Sequence, residues 1–212
     1  MGYETGKRII DFVFSLILIV LFAPVWLVAP ILIKLDSSGP VLAVTPGRVG
    51  RNGRLFQMYK FRSMVNDAHQ LLRTDPKLKK LYRQYEKNSY KLVDDPRVTR
   101  IGRWLRRFSL DEAPQFFNVL RGEMSLVGPR AYYPDELAKQ QRVYPQAKKH
   151  VKILLSAKPG ITGYWQVAGR SEINFDKRVK MDADYVKKKS IRYDLLIIIK
   201  TPWAMVSGKG AL

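Results

Sequence analysis

The chain has 212 residues, enough for one domain with a hydrophobic core and a short additional segment. It contains no cysteine and only two histidines, which excludes disulfides and thiolate metal sites and argues against a zinc site or a Ser-His-Asp triad. With 38 Lys and Arg against 18 Asp and Glu, the net charge is +20, which favours nucleic acid, anionic lipid headgroups or a phosphorylated small molecule as partner.

The first predicted element is an uncharged apolar segment from Phe12 to Ile33. As a straight helix it would extend roughly 33 Å, enough to cross a bilayer. Pro24 lies near its middle and removes one backbone hydrogen bond, which predicts a kink near Ala23. Basic residues flank the segment on both sides, so the positive-inside rule assigns no orientation. A kinked spanning helix and a re-entrant helix that enters and leaves by the same face both fit this pattern.

Residues 41–64 mix β-branched and aromatic residues with glycine-rich turns, which predicts a β-hairpin. Residues 65–90 predict two amphipathic helices with a break at Asp75-Pro76. These helices have two open interpretations: a pair lying on the membrane surface, or a solvated basic face packed on its own domain. A short helix is then expected before Ser109, which is predicted to begin a further helix that ends at Gly122.

The second half predicts a loop around Arg130, then a helix or strand over residues 145–155. The segment 158–172 is rich in glycine and aromatic residues, and we expect it to be irregular and functional. A helix is predicted over residues 174–189. The apolar stretch 193–206 is short for a membrane span, so we expect it to lie at the membrane interface or to pack on the first helix.

Two adjacent carboxylates, Asp111 and Glu112, follow a pair of arginines in the segment RRFSLDEAPQ. One interpretation is a capping box, in which Ser109 and Glu112 satisfy the first N–H groups of a helix. The other is catalytic: Asp can attack phosphorus as a nucleophile, and the neighbouring Glu can hold Mg²⁺ against a pyrophosphate. Glu112 would serve poorly in both roles at once, so one of them should dominate.

The chain resembles the bacterial sugar transferases, the monotopic polyprenyl-phosphate phosphoglycosyl transferases. The segments that carry the resemblance are KRIIDF, YKFRSM, DPRVTRIGRWLRRFSLDEAPQFFNVLRGEMSLVGPRA, KPGITGYWQVAGR, DADYV and SGKGA. Each alone is a weak signal, but their order and spacing cover most of the chain. The resemblance implies transfer of a sugar-1-phosphate from a UDP-sugar to undecaprenyl phosphate, through a covalent aspartyl-phosphosugar intermediate, with release of UMP.

The resemblance also implies site residues. Asp111 matches the nucleophile and Glu112 the ligand of the Mg²⁺ cofactor. The implied phosphate-binding residues are Arg130, Arg106 and Lys60, and the residues implied to shape the nucleotide-sugar pocket are Gln166 and Arg170. The family's membrane element is re-entrant, which favours that form here, with Ala23 and Pro24 at the membrane break.

The expected fold is therefore α+β, with a re-entrant membrane helix in residues 1–36. Residues 37–212 are expected to form a small catalytic domain with interfacial amphipathic helices and a short β-hairpin, on the cytoplasmic face of the bacterial inner membrane. Anionic membrane lipid is an expected partner and nucleic acid is not. Small family members often have serine where this chain has Ala23 and proline where it has Ala131. With Ala23, no serine hydroxyl can bond to the backbone carbonyl that is freed at the Pro24 break. With Ala131, the rigidity of the Arg130 loop is open.

Two other functions compete with the enzyme: a membrane-tethered nucleic-acid-binding protein and an inert scaffold for polysaccharide assembly. No helix-turn-helix, zinc-finger or RNA-binding signature supports the first, and the intact carboxylate pair argues against the second. The identity of the sugar and the oligomeric state are open, with a mild preference for an unmodified hexose. The later part of the chain is more similar to the catalytic domain of longer members, so we expect either a short natural form or an excised catalytic domain.

Overall fold

The computed structural model describes residues 2–88, 90, 92, 94–169 and 173–206. Short helices dominate these residues, and two small sheets accompany them. In chain order the elements are α1 (Tyr3–Leu21), α2 (Ala23–Asp36), β1 (Arg48–Val49), β2 (Leu55–Phe56), α3 (Ala68–Thr74), α4 (Lys79–Lys87), α5 (Arg100–Arg107), α6 (Gln115–Leu120), β3 (Ser125–Val127), α7 (Pro134–Val143), α8 (Lys148–Leu154), β4 (Gly160–Thr162), α9 (Tyr164–Ala168), α10 (Phe175–Lys188) and α11 (Ile191–Val206). This confirms the mixed helix and sheet content expected from the sequence.

The chain divides into two compact units. The first contains α1, the β1–β2 hairpin and the elements from α6 to α11. The second contains α2 to α5 together with the turn that carries Asp111. The boundaries fall at residues 21–22, 45–46, 58–59 and 114–115, so the chain passes between the units several times.

The core of the first unit forms where α8 and α10 pack together with Tyr132 and the β1 strand. Phe175 and Val179 are fully buried at its centre. Their spacing of four residues places both on the same face of α10, as an amphipathic helix requires. The helix predicted over residues 174–189 is confirmed, and the ambiguous segment 145–155 is helical, with a 3-10 turn at Pro145–Ala147 before α8.

The predicted hairpin is confirmed: β1 pairs with β2 in antiparallel register. The structure corrects two other expectations, because parts of the segments predicted as loop and irregular backbone form the parallel pair β3–β4. At this pair a Cβ atom on Gly160 would overlap the backbone nitrogen of Gly128. The glycines therefore permit a close approach of two chain segments, which explains why their neighbourhood gives no ordinary strand pattern.

In the second unit, α3 and α4 are separated at Asp75-Pro76, as predicted. The Asp75 side chain accepts a hydrogen bond from the backbone N–H of Lys77 at 2.9 Å, and a 3-10 turn follows over Pro76–Leu78. The short helix α5 is also confirmed. Thr99 caps it by accepting from the backbone N–H of Gly102 at 3.0 Å.

The apolar segment is interrupted at Phe22, close to the predicted kink. Pro24 falls in the first turn of α2, where a missing N–H costs no helical hydrogen bond. Among the described residues no single helix is long and apolar enough to cross a membrane. By length and composition, α1 and α2 taken together could reach across a membrane, but they are bent by 60° at the break between them.

The last helix, α11, packs on the first helix, α1. This confirms one of the two expectations for the apolar stretch 193–206. Asp194 in α11 accepts hydrogen bonds from Tyr3 at 3.0 Å and from Lys7 at 2.8 Å. Tyr185 donates to the other oxygen of the same carboxylate at 2.6 Å. Asp194 is only 3% exposed, so this buried carboxylate joins α1, α10 and α11 within the first unit.

Candidate active site

Asp111 and Glu112 lie in a 3-10 turn over Leu110–Glu112, between α5 and α6. Asp111 is 6% exposed. Its backbone carbonyl accepts a hydrogen bond from the backbone N–H of Phe61 at 2.9 Å. The extended segment around Lys60 therefore lies alongside the carboxylate turn and fixes its position.

The capping-box interpretation of this turn is wrong. Ser109 has a φ of +53°, in the left-handed region, and its side chain makes no capping hydrogen bond. Only a short 3-10 turn follows it, because Pro114 interrupts the chain before α6 begins at Gln115. A left-handed non-glycine residue costs on the order of 1–3 kcal/mol, and such residues cluster at functional sites.

Instead of a cap, the carboxylates have Lys60 as their partner. The Lys60 Nζ lies 2.6 Å from Oε1 of Glu112 and 3.8 Å from Oδ2 of Asp111. Burial raises the pKa of the Asp111 carboxyl above its usual range, and the Lys60 ammonium opposes that rise. Arg106 acts in the same direction as Lys60, and its Nε donates to the Ser63 hydroxyl at 2.9 Å. Four residues predicted for the site, Lys60, Arg106, Asp111 and Glu112, are thus brought together.

The two carboxylates fit a divalent cation that is held jointly with a phosphorylated ligand. Mg²⁺ in proteins is usually bound by one or two carboxylates plus substrate phosphates and waters. The Glu112 side chain is 33% exposed and that of Asp111 only 8%, so the Glu112 carboxylate is the more accessible of the two. In the described part of the chain there is no group of three or more acidic, His or Cys side chains that could hold a metal without a substrate.

Arg130 belongs to the first unit, on the loop between β3 and α7. Its backbone N–H donates to Oδ2 of Asp182 at 3.1 Å. The next carbonyl, that of Ala131, accepts from the Arg48 guanidinium at 3.1 Å, and Arg48 also stacks on the Tyr133 ring at 3.3 Å. Buried side chains of β1 and α10 therefore hold a loop whose rigidity the sequence left open.

A buried ionic cluster supports the same loop from α10. Arg178 donates to the Tyr132 hydroxyl at 3.2 Å and lies 3.3 Å from a carboxylate oxygen of Glu136. Arg130 and Arg178 lie over the Trp165 ring, with Cζ at 5.6 Å and 5.4 Å from its centroid. We infer that cation–π contacts orient both guanidinium groups.

The carboxyl of Asp182 has an unusual environment in this cluster. It is fully buried, and its Oδ1 has no hydrogen-bond partner among the residues described. Burial raises the pKa of Asp182 to about 7, although the Arg130 backbone N–H and the Arg178 guanidinium oppose the rise. A buried carboxylate beside two arginines thus carries a substantial desolvation cost.

Of the residues predicted for the nucleotide-sugar pocket, Gln166 lies in α9 and donates to the Ile161 carbonyl at 3.0 Å. Arg170 lies outside the described residues, as does the segment SGKGA. Sequence reasoning assigned no role to Arg48, Glu136 or Arg178. The signal that was present for Arg178 and Asp182 is their spacing of four residues, which places a cation and an anion on one otherwise apolar face of α10.

A buried carboxylate with a second carboxylate and two cations beside it is an arrangement suited to chemistry on phosphate groups. The chain matches the family model of the bacterial sugar transferases over residues 2–208. It therefore belongs to that family, as its sequence motifs indicated.

Several characterised relatives align with almost the whole chain. An undecaprenyl-phosphate galactose phosphotransferase from Salmonella typhimurium is 40% identical over 209 residues, which are 97% of this chain and 41% of the relative. A UDP-N-acetylgalactosamine-undecaprenyl-phosphate N-acetylgalactosaminephosphotransferase from Aeromonas hydrophila is 37% identical, over 99% of this chain and 45% of the relative. The exopolysaccharide production protein ExoY of Sinorhizobium fredii is 36% identical, over 97% and 88%. The chain thus spans less than half the length of the first two and most of the third.

Proposed function

We propose that the chain is the catalytic part of a phosphoglycosyl transferase that moves a sugar-1-phosphate from a UDP-sugar to undecaprenyl phosphate and releases UMP. The observation that carries this proposal is the buried Asp111 carboxylate, with Glu112 next to it in the chain and Lys60 at 3.8 Å. Relatives named as undecaprenyl-phosphate sugar phosphotransferases support the same reaction class. Such a transfer would be the first membrane step in assembling a bacterial surface polysaccharide or related glycan.

In the proposed first step, a carboxylate oxygen of Asp111 attacks the phosphorus that carries the sugar. A phosphorus–oxygen bond to Asp111 forms while the bond to the UMP oxygen breaks, and UMP leaves with that electron pair. In the second step, a phosphate oxygen of undecaprenyl phosphate attacks the same phosphorus. The bond to Asp111 breaks, and the carboxylate is regenerated. Both attacking groups are anions, so neither step requires a general base.

The neighbouring side chains would lower the repulsion between anions in both steps. Lys60 and Arg106 already offset the charge of Asp111, and positive charge fixed near the phosphates stabilises the transition state. Glu112 would hold Mg²⁺, which when bound supplies neutralisation of the pyrophosphate charge. Since Lys60 contacts Glu112 at 2.6 Å, cation binding would require the lysine to move toward the phosphates.

The function assay uses the purified chain in detergent with a panel of UDP-sugars, undecaprenyl phosphate and Mg²⁺. We expect continuous UMP release only when all three are present, and a burst of at most one UMP per chain when the lipid is omitted. EDTA should stop release. Continuous UMP formation without polyprenyl phosphate would contradict the proposal, as would no UMP with any sugar. Tight nucleic-acid binding without transfer would favour the alternative of a membrane-tethered nucleic-acid-binding protein, which the names of the relatives described above do not support.

We also propose a re-entrant placement of α1 and α2 in the cytoplasmic face of the bacterial inner membrane. Large apolar side chains are exposed along both helices, with Val20 75% and Leu35 80% exposed, and a row of this kind marks a lipid or protein contact. The bend at Phe22 supports entry and exit by one face. Anionic lipid would attract the net charge of +20.

Because the chain has no cysteine, single-cysteine labelling can test this topology directly. Thr5→Cys lies at the exposed start of α1, and Lys177→Cys lies on the exposed face of α10. With an impermeant thiol reagent on intact cells, we expect both positions to be protected and both to react after lysis. Labelling of position 5 alone in intact cells would establish a spanning helix and refute the re-entrant placement.

A further inference from the structure

A small pocket lies in the first unit at the beginning of α1, distinct from the carboxylate turn. Its volume of about 30 Å³ is two to three times the roughly 10–15 Å³ that one water requires. Five cationic and two acidic side chains line it, and the remainder are tyrosine and small apolar residues. The cations are Lys7, Arg8, Arg51, Lys158 and Lys189, and the acids are Glu4 and Asp11.

The acidic groups of the pocket already have partners. Glu4 pairs with Lys189 at 2.5 Å. Asp11 accepts hydrogen bonds from the Ser125 hydroxyl and from the backbone N–H of Leu126, each at 3.0 Å. Both carboxylates are therefore held in place, and their charges offset only part of the positive charge of the five cations.

Three cations of the pocket are left without an acidic partner among the described residues: Arg8, Arg51 and Lys158. Arg8 is held by the carbonyls that end α6, donating to Val119 at 2.6 Å and to Leu120 at 2.7 Å. A Cβ atom on Gly122 would lie 3.4 Å from the Lys158 Nζ and 3.8 Å from the Arg8 guanidinium carbon. The Lys158 ammonium and the Arg8 guanidinium thus both lie beside Gly122, close to each other.

This convergence carries an electrostatic cost in the absence of an anion. Burial lowers the pKa of Lys158, and the neighbouring charges of Arg8 and Arg51 lower it further, while Asp11 and Glu4 oppose this without reversing it. Like charges held close together in a partly buried site favour binding of an anion. A phosphate group matches the site, because it carries negative charge and several acceptor oxygens for guanidinium and ammonium donors.

The position of the pocket along α1 identifies the source of such a phosphate. Arg8 precedes Phe12, the first residue of the apolar run, by roughly 6 Å along the helix axis. The headgroup layer on each side of a bilayer's hydrocarbon core is about 5–7 Å thick. With the apolar run immersed, the pocket therefore lies at the depth of lipid phosphates.

We infer that Arg8, Arg51 and Lys158 form a binding site for a phosphate group, supplied by the headgroup of an anionic phospholipid. The site would fix the depth and rotation of α1 in the membrane, because Arg8 is part of the helix and Lys158 belongs to the domain packed on it. The inference rests on the proposed membrane placement and is independent of the transfer reaction.

The test measures lipid retention by native mass spectrometry of the full chain in detergent, titrated with phosphatidylglycerol or with phosphatidylcholine. We expect preferential retention of phosphatidylglycerol, and a loss of affinity of about fivefold in each of the variants Arg51→Gln and Lys158→Gln. Lys152→Gln is the matched control, because it removes the same charge from an exposed position on α8 outside the pocket. Circular dichroism of each variant checks the fold.

Inorganic phosphate in a parallel thermal-shift titration distinguishes the sources. Stabilisation by phosphatidylglycerol but not by millimolar phosphate assigns the site to a lipid headgroup, whereas stabilisation by both assigns it to phosphate groups generally. Equal losses in Lys152→Gln and in the pocket variants would overturn the inference, since they would reflect net charge alone. Absence of binding by either probe would also overturn it. UMP release by the same samples is independent of these outcomes, so a failure here is distinct from a failure of the proposed function.

Discussion

Asp111→Asn is expected to abolish sugar-phosphate transfer while leaving the fold intact. The amide has nearly the shape of the carboxylate but is a very poor nucleophile toward phosphorus, so we expect a rate loss on the order of a thousandfold or more. The free energy of unfolding should change by less than about 1 kcal/mol, because the lost ion pair with Lys60 is offset by removal of a buried charge. UMP release and thermal unfolding measure the two effects.

Trapping the intermediate makes this prediction sharper. Incubated with UDP-sugar and no lipid acceptor, the wild type should gain the mass of one sugar phosphate on the peptide that contains Asp111, and Asp111→Asn should gain none. Glu112→Gln should fold and recover part of its activity at high Mg²⁺, because its loss is in cation binding. Asp184→Asn, at a surface ion pair with Lys187, is the matched control and should be fully active. Near-normal transfer by Asp111→Asn with no adduct under rapid quench would refute the mechanism.

Arg178→Met is expected to cause the largest loss of stability. Arg178 and Glu136 are 1% and 0% exposed, with 3.3 Å between their charged groups. Methionine occupies part of the arginine volume but leaves the Glu136 carboxylate buried without its cation. Loss of one partner of a buried ion pair typically costs about 3–5 kcal/mol. The measurement is the apparent unfolding midpoint in detergent.

A second replacement separates the cost of the unpaired Glu136 charge from the cost of lost packing around Arg178. In the double variant Arg178→Met/Glu136→Leu the Glu136 carboxylate is removed together with its cation, so the part of the lost stability that comes from Glu136 should return. Asp182 still lacks the Arg178 charge in this variant, so the recovery should be partial. Lys187→Met provides the control, because the Lys187–Asp184 pair is about half exposed and 3.9 Å long and should contribute less than about 1 kcal/mol. A double variant no more stable than Arg178→Met would show that the cation stabilises through its contacts with Tyr132 and Trp165 instead.

Features that depend on a few consecutive residues were predictable from the sequence. Pro24 has no N–H and disfavours a continuous helix, and the chain breaks two residues before it, at Phe22. Asp75-Pro76 separates α3 from α4 for a similar local reason. The order and spacing of the motifs also determined the family, because they are properties of the linear chain.

The capping box shows where local reasoning failed. The pattern at Ser109 and Glu112 has the right residue types, yet Ser109 adopts φ +53° and Glu112 bonds to Lys60. Hydrogen bonds from a distant segment, including that from Phe61 to the Asp111 carbonyl, outweigh a cap worth about 1 kcal/mol. The tertiary structure therefore excluded the cap, one of the two local roles considered for the carboxylates.

Contacts between distant parts of the chain were decided by the tertiary structure alone. Lys60 lies 52 positions from Glu112, Glu136 lies 42 from Arg178, and Asp11 lies 115 from Leu126. The sequence shows only that these side chains are polar or charged. Which of them meet depends on how whole helices pack, because burial is favourable for any partner that fills the space, whereas a buried charge is tolerated only opposite a group that satisfies it.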